Sequence, residues 1–453
     1  MSKKTQRIRK NNSAEGMPRF LRVLGNLKYR LIVEGICVGI LAGILVSAFR
    51  LSLMKIDEIR NMLLEGAQSR LSVVICCLLL LFFFAVCVSF LVVREPLCTG
   101  SGIPQVKGEL EGKVKSNWIS VIIAKFIGGI MAVGGGLSLG REGPSIQLGA
   151  MVGKGFSRIN GRFHSEERLL MTCGAGAGLA AAFSAPLAGV VFSLEELHKT
   201  FTAEVLLSTM AASITADWAA SYIFGLRPVF SLTLSNSLPL SHYWMVLILG
   251  VITGAFGVLY NKCIALSQDF FSMLRPVWLR AALPFAAIVI LARFYPHALG
   301  SGHDLVSFAG EGGAGVKVLL ILLVIKFLFS VFSFGTGAPG GIFLPLLVLG
   351  AVTGGLFTEI ASPLVGYANT YSAYFVILGM AGYFAAIVRA PITGIILISE
   401  MTGIFSNLLP LAIVSLAAHI TAEIMGGVPI YDQLLERMLA ARGGEARKPV
   451  RKV

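Results

Sequence analysis

GREGP, Gly140 to Pro144, is a charged interruption in an otherwise apolar run. An uncharged, glycine-rich segment, Gly128–Leu139, precedes it, and the run Ser145–Phe156 follows. Pro144 suits the first turn of a helix, where its missing N–H has no intrahelical acceptor to lose. The glycines let backbone approach a ligand closely. A helix N-terminus presents unpaired N–H groups and about half a positive charge, which makes it an anion site. Glu142 stands at that end and is itself an anion, so a carboxylate competes there with a bound anion. The same residues would also suit a surface loop between two spans.

Outward from this stretch the chain is built for a bilayer. Of its 453 residues 55% are hydrophobic and 14% charged, with a mean hydropathy of +0.80, outside the range of soluble domains. Apolar runs recur at Leu31–Phe49, Ser72–Val93, Trp244–Tyr260, Val318–Phe334, Tyr371–Val388 and Leu408–Met425. Each approaches the roughly 20 residues that cross a hydrocarbon core. The expectation is an all-α polytopic membrane protein. Barrel strands would give short alternating segments instead.

The net charge of +14 gathers at the ends: nine of the first thirty residues are Lys or Arg, and Arg437, Arg442, Arg447, Lys448, Arg451 and Lys452 crowd the tail. The positive-inside rule then places both termini in the cytoplasm. These basic arms abut spans and lack interleaved aromatics, which argues against a nucleic-acid partner. A largely polar and basic stretch of thirty residues precedes the first long apolar run, a poor match to a cleavable signal. The seven cysteines lie mostly in apolar runs without a CxxC pair, and the six histidines form no HExxH. Neither a disulfide frame nor a metal site is expected.

The second half repeats the first. Gly300-Ser301-Gly302 matches Gly100-Ser101-Gly102 at an offset of 200, and Gly341-x-x-x-Pro345 with Leu349-Gly350-Ala351 matches Gly140-x-x-x-Pro144 with Leu148-Gly149-Ala150 at 201. AAIVRAPITGIILISE, Ala385–Glu400, matches AAFSAPLAGVVFSLE, with Ala390-Pro391 against Ala185-Pro186 at 205. Three matches in one order mark an internal duplication. In membrane proteins, glycine- and proline-broken segments at matching positions mark a midplane substrate site between repeats. The expected divisions are a basic arm at 1–30, a first repeat at 31–226, a linker at 227–242, a second repeat at 243–435 and a basic tail at 436–453. Gly35, Gly39 and Gly43, at four-residue spacing, read as a close helix-packing stripe.

The copies differ where chemistry belongs. The first places Arg141-Glu142 between its Gly and Pro, where the second has Ile342-Phe343-Leu344 and so only bare amides. Glu195 aligns with Glu400, the pattern of a helix-end carboxylate, whereas Glu196 aligns with Met401 and is the extra ionisable group. An ionisable residue in a span is a functional candidate.

In these residues the chain resembles the CLC family of chloride channels and proton-coupled chloride antiporters, in its bacterial form. GSGIP at Gly100–Pro104, GREGP at Gly140–Pro144, GIFLP at Gly341–Pro345 and Tyr431 after GGVPI carry the likeness, over roughly residues 31–435. It implies two inverted repeats of broken, tilted helices, about seventeen in all, and a homodimer with one pathway per subunit in the cell (inner or plasma) membrane. It also implies that the Ser101 hydroxyl, the Tyr431 phenol and the amides of Ile342 and Phe343 hold chloride. Glu142 would be the gate, and Glu196 the relay to the cytoplasmic proton supply. Competing assignments are a helix cap for Ser101, an interfacial tyrosine for Tyr431, a loop carboxylate for Glu142 and a helix-end carboxylate for Glu196.

The expected function is therefore exchange of chloride for protons, chloride being the transported ligand and no cofactor being required. The alternative is a passive voltage- or pH-gated chloride channel on the same scaffold. An enzyme using Glu195 and Glu196 as paired acids is disfavoured, because adjacent helical residues point about 100° apart. Three positions need explanation. Gln105 stands where the family often has an acid, Lys107 follows two residues on, and Lys125 sits alone in an apolar run, either partnering a carboxylate or snorkelling to the interface.

Overall fold

The computed structural model describes residues 3–67, 71–232, 234, 238–365 and 369–441. The described residues form seventeen α-helices. The first half holds α1 (Lys3–Ala67), α2 (Leu71–Arg94), α3 (Ile103–Leu110), α4 (Trp118–Gly129), α5 (Glu142–Ile159), α6 (His164–Phe183), α7 (Pro186–Phe192) and α8 (Ala203–Phe224). The second repeats this order as α9 (Tyr243–Met273), α10 (Val277–Phe294), α11 (His303–Glu311), α12 (Val316–Gly335), α13 (Phe343–Val365), α14 (Ser372–Val388), α15 (Pro391–Thr402) and α16 (Leu408–Ile424). α17 (Ile430–Ala441) follows without a counterpart. The basic tail is described only as far as Ala441, and residues 442–453 lie outside the described residues, as do parts of the 227–242 linker.

The fold is an inverted repeat, and the duplication read from the sequence extends to its backbone hydrogen bonds. Gly140 and Gly341 donate to each other's carbonyls at 2.6 and 2.7 Å, forming an antiparallel bridge between the halves. Around it, Gly100 N–H bonds Gly337 O at 3.1 Å and Gly300 N–H bonds Gly136 O at 3.0 Å. In hydrocarbon every backbone polar group needs a protein partner, so chain breaks at membrane depth must satisfy one another.

Two lysines complete that satisfaction. Lys125 Nζ donates to Cys98 O at 3.0 Å and Gly100 O at 2.6 Å. Lys326 Nζ does the same to Ala298 O at 3.0 Å and Gly300 O at 2.8 Å. Both side chains are fully buried. Lys125 therefore neither partners a carboxylate nor snorkels. It caps the carbonyls of the broken segment ahead of α3, and Lys326 does so ahead of α11.

Glu195 and Glu400 form a third symmetric pair. Glu195 accepts the N–H groups of Ile392 and Thr393 at the start of α15, and Glu400 accepts those of Leu187 and Ala188 at the start of α7. Each carboxylate thus caps a helix of the opposite repeat, where first-turn amides lack intrahelical acceptors.

Among the described residues, six helices are long and apolar enough to cross a membrane: Tyr29–Leu64 within α1, Ser72–Arg94, Leu240–Met273, Val277–Phe294, Val316–Gly335 and Phe343–Pro363. The runs expected at 371–388 and 408–425 form helices of 17 residues each, short of a full span. Glycine lets these irregular helices pack by backbone contact. A Cβ on Gly149 would lie 2.1 Å from Gly174 O, and one on Gly350 would lie 2.4 Å from Gly379 O, so α5–α6 and α13–α14 cross at matching glycines. The Gly35–Gly39–Gly43 stripe faces Ser208, Ala212 and Ala216 of α8 in the same way. Without a hydrophobic drive between helices in lipid, such close approach supplies the association energy.

Gly149→Leu is expected to abolish monodisperse elution of the detergent-solubilised protein. Gly149→Ala should lower its melting temperature, since even one methyl overfills this crossing, by about 1–3 kcal/mol. Ile159→Ala, at an exposed position of the same helix, should leave both measurements unchanged.

Candidate functional site

The site lies at the central bridge, where broken helices start. Gly102 has φ of +91°, a left-handed conformation that glycine adopts without a side-chain clash, and it turns the chain into α3 directly after Ser101. A Cβ on Gly102 would also lie 2.4 Å from Gln147 Oε1. Arg141 precedes α5, which opens with Glu142 and holds Pro144 in its first turn. The partner segment from the other repeat opens α13 at Phe343, and Tyr431 lies in the first turn of α17.

Contacts tie these starts together. A Cβ on Gly143 would sit 2.5 Å from Ser101 Oγ, and one on Gly341 would sit 3.1 Å from Gly143 N. The Phe343 ring packs against Phe183, Phe192 and Phe384, with centroids 5.5, 6.3 and 4.9 Å away. Phe192 meets the Tyr431 ring edge-on at 6.5 Å. Ser101, Glu142, Ile342, Phe343 and Tyr431 are thus brought to one place, walled by aromatic rings.

Glu142 is wholly buried. One of its carboxylate oxygens, Oε2, lies 3.4 Å from the backbone N–H of Leu344 in the opposite repeat. The opposite-repeat amide facing Glu142 is therefore that of Leu344, the last of the three residues Ile342-Phe343-Leu344 whose bare amides the second copy offers. A helix start offers a cluster of amides, and the choice among neighbours depends on the angle at which two chains meet. The other carboxylate oxygen, the Ser101 hydroxyl and the Tyr431 hydroxyl are all buried without a hydrogen-bond partner. Burying a polar group without one costs on the order of 1–3 kcal/mol. Orphaned donors clustered beside helix N-termini therefore fit a site made for an anion. Partial charges of this kind bind an ion without the full charge of a lysine, so the ion can also leave.

Glu196 stands apart from this cluster, in a short π-helical turn, Ser193–His198. Its Oε1 accepts from Lys107 Nζ at 2.6 Å. Lys107 also bonds the carboxylate of Asp432, the residue after Tyr431. Glu195, its sequence neighbour, points instead to the start of α15, so the two glutamates have separate surroundings. Gln105 donates to Thr99 O at 2.8 Å and so pins the turn ahead of α3. Asp432 was missed in sequence because a lone aspartate after a tyrosine carries no pattern. Lys326 could have been found, since it stands 201 positions after Lys125 in the duplication.

On the Arg141 side of Glu142 lies a cavity of about 350 Å³ lined by Arg50, Asp57, Arg141, Arg227, Ser301, His303 and Leu344, among others. Arg50 stacks over the Phe224 ring at 3.9 Å and bonds Ala181 O at 2.6 Å. Positive charge lining a cleft raises the local concentration of anions. The described residues hold no group of three or more His, Cys, Asp or Glu side chains arranged to bind a metal.

Comparison with known proteins agrees with this geometry. The family described as "Voltage gated chloride channel" matches residues 82–423. The H(+)/Cl(-) exchange transporter ClcA of Vibrio cholerae is 38% identical over 423 residues, covering 91% of this chain and 90% of that protein. ClcA of Yersinia pseudotuberculosis is 34% identical over 455 residues, covering 97% and 95%. Among solved structures, a slow cyanobacterial Cl−/H+ antiporter superposes with a TM-score of 0.87 at 33% identity, covering 91% of this chain and 99% of that one. A CLC-type fluoride/proton antiporter shares the fold alone, with a TM-score of 0.72 at 23% identity and coverage of 89% and 97%. Orphaned hydroxyls beside a buried carboxylate, the two-fold repeat around them and this likeness along nearly the whole chain lead to one conclusion: the chain belongs to the CLC family of voltage-gated chloride channels.

Proposed function

We propose that the protein is a secondary active transporter that exchanges chloride for protons, and that one observation carries this reading. A wholly buried carboxylate, Glu142, reaches an amide at the start of α13 while the hydroxyls of Ser101 and Tyr431 lie beside it without partners. The carboxylate and a chloride ion compete for the same amide environment. When chloride enters or a proton neutralises Glu142, the side chain leaves, and the anion takes its place. Ligand and proton therefore act on one equilibrium, which each shifts by its differential affinity for the two positions.

In this reading Ser101, Tyr431 and the amides of Ile342, Phe343 and Leu344 hold the anion. Glu142 gates it, and Glu196 passes protons between the cytoplasm and the gate. Arg141 and its cavity concentrate anions at the mouth on that side. The support for Glu196 is its burial and its charged partner, Lys107. All these groups lie in one chain, so a homodimer would carry one pathway per subunit. The exchanger names of relatives 34–38% identical favour exchange over passive conduction.

The deciding experiment imposes a chloride gradient on liposomes containing the purified protein and follows both ions. Uphill proton movement in the wild type establishes exchange, whereas chloride flow without it makes the protein a channel. Glu142→Gln is expected to pass chloride at a rate independent of pH with proton movement at leak level. Glu196→Gln should lose uphill proton movement while chloride still flows.

Tyr431→Phe and Ser101→Ala each remove one hydrogen bond to an anion, worth about 1.5–3 kcal/mol. Each should weaken chloride binding by roughly tenfold or more, a change that titration calorimetry resolves.

A further inference from the structure

The charged group that transport leaves unexplained is Lys107. It is fully buried, and one ammonium serves two carboxylates, Glu196 at 2.6 Å and Asp432. Lys199, half exposed, stands 3.7 Å from the other Asp432 oxygen. Glu109, also on α3, is taken by Lys154 and by the Ser116 hydroxyl at 2.7 Å, so it does not compete for Lys107. Tyr431 brings a neutral phenol to the same neighbourhood.

Three elements meet at this ammonium. Lys107 is on α3, the helix that begins just after Ser101. Glu196 is on the π-helical turn. Asp432 is on α17, next to Tyr431. Ser101 and Tyr431 are the two orphaned hydroxyls of the anion site, and the segments that carry them are joined through Lys107 and Asp432. A buried ammonium is stable only while paired, so whatever changes one of its partners changes its hold on the other.

We propose that Lys107 is a positioning residue that couples the protonation of Glu196 to the constriction between Ser101 and Tyr431. With Glu196 charged, the ammonium is shared between two carboxylates. When a proton from water settles on Glu196, that carboxyl group becomes neutral and its ion pair is lost. Lys107 remains an ammonium throughout, and its attraction goes to Asp432. The start of α17 is then drawn onto α3, and the gap between the two hydroxyls narrows. A loaded proton thereby holds the anion back from the Lys107 side, the alternation an exchanger requires.

This inference rests on Glu196 as the proton relay, so its test carries that reading's own control. Wild type, Lys107→Met, Lys107→Arg, Asp432→Asn and Glu196→Gln are compared in liposomes for the ratio of proton to chloride flux and its dependence on pH. Lys107→Met and Asp432→Asn are expected to keep chloride flux while the ratio falls by roughly fivefold or more, the low end of site-to-site couplings. In Lys107→Met the pH of half-maximal proton flux should also rise, because Glu196 then takes a proton without losing an ion pair. Lys107→Arg, which keeps the charge, should hold the ratio near wild type. A merely structural role would lower both fluxes together and leave ratio and pH profile unmoved.

If Lys107→Met fails to elute as a folded protein, Asp432→Asn decides, since it leaves the Lys107–Glu196 pair intact. Folded variants with the wild-type ratio and pH profile overturn the inference, while loss of coupling in Glu196→Gln keeps the relay reading standing. Uphill proton movement surviving in Glu196→Gln instead removes the relay reading, and the inference falls with it for that separate reason.

Discussion

Two hydrogen bonds between Gly140 and Gly341 hold the centre of this molecule. A membrane tolerates no unpaired backbone, while the proposed anion site needs unpaired amides. The chain resolves the conflict by breaking helices in both repeats at the same depth and setting the broken ends against each other. Amides and carbonyls not needed for the site are used up in the bridge or, at the carbonyl ends, by Lys125 and Lys326. Of those left over, the Leu344 N–H at the start of α13 faces Glu142. The duplication is therefore the means by which helix breaks at this depth are structurally closed, and it leaves the proposed site electrically bare.

Several interior charges are handled in one way. Glu195 and Glu400 meet helix starts, Lys125 and Lys326 meet carbonyl ends, and Lys154 meets Glu109. Each of these charges is fully engaged and has no second state to move to. Glu142 and Glu196 are held differently. Glu142 has one oxygen against an amide and the other without a partner, and Glu196 shares its cation with a second carboxylate. At both, protonation would change what the side chain touches. The two residues proposed to gate the anion and to relay protons are thus charges the fold leaves partly uncommitted.

Much of the fold was legible from local pattern. The apolar runs, the glycine stripe of α1 and the matches at Gly100/Gly300, Gly140/Gly341 and Ala185-Pro186/Ala390-Pro391 each use spacing within one segment or between two copies of it. The pairing of Glu195 with Glu400 was visible as an alignment, and the structure turns it into reciprocal helix caps. The fate of Lys125 was not legible. A lysine in an apolar run has several ways to be satisfied, and only the returning chain shows that carbonyls await it. Which of the amides of Ile342, Phe343 and Leu344 meets Glu142 was open for a related reason: adjacent amides at a helix start differ by direction, which the sequence of one segment does not encode.

What the sequence by itself determined is membrane residence, the two-fold repeat, the positions of the helix breaks and the residue types that could meet an anion. These follow from composition, period and the conformational limits of glycine and proline, all of which act over a few residues. What only the tertiary structure decided is partnership: Glu142 with Leu344, Glu196 with Lys107, and Lys107 with Asp432. Such contacts join positions 202, 89 and 325 residues apart along the chain. Electrostatic interaction depends on distance and burial after packing, and neither is a property of the residues until the helices have crossed.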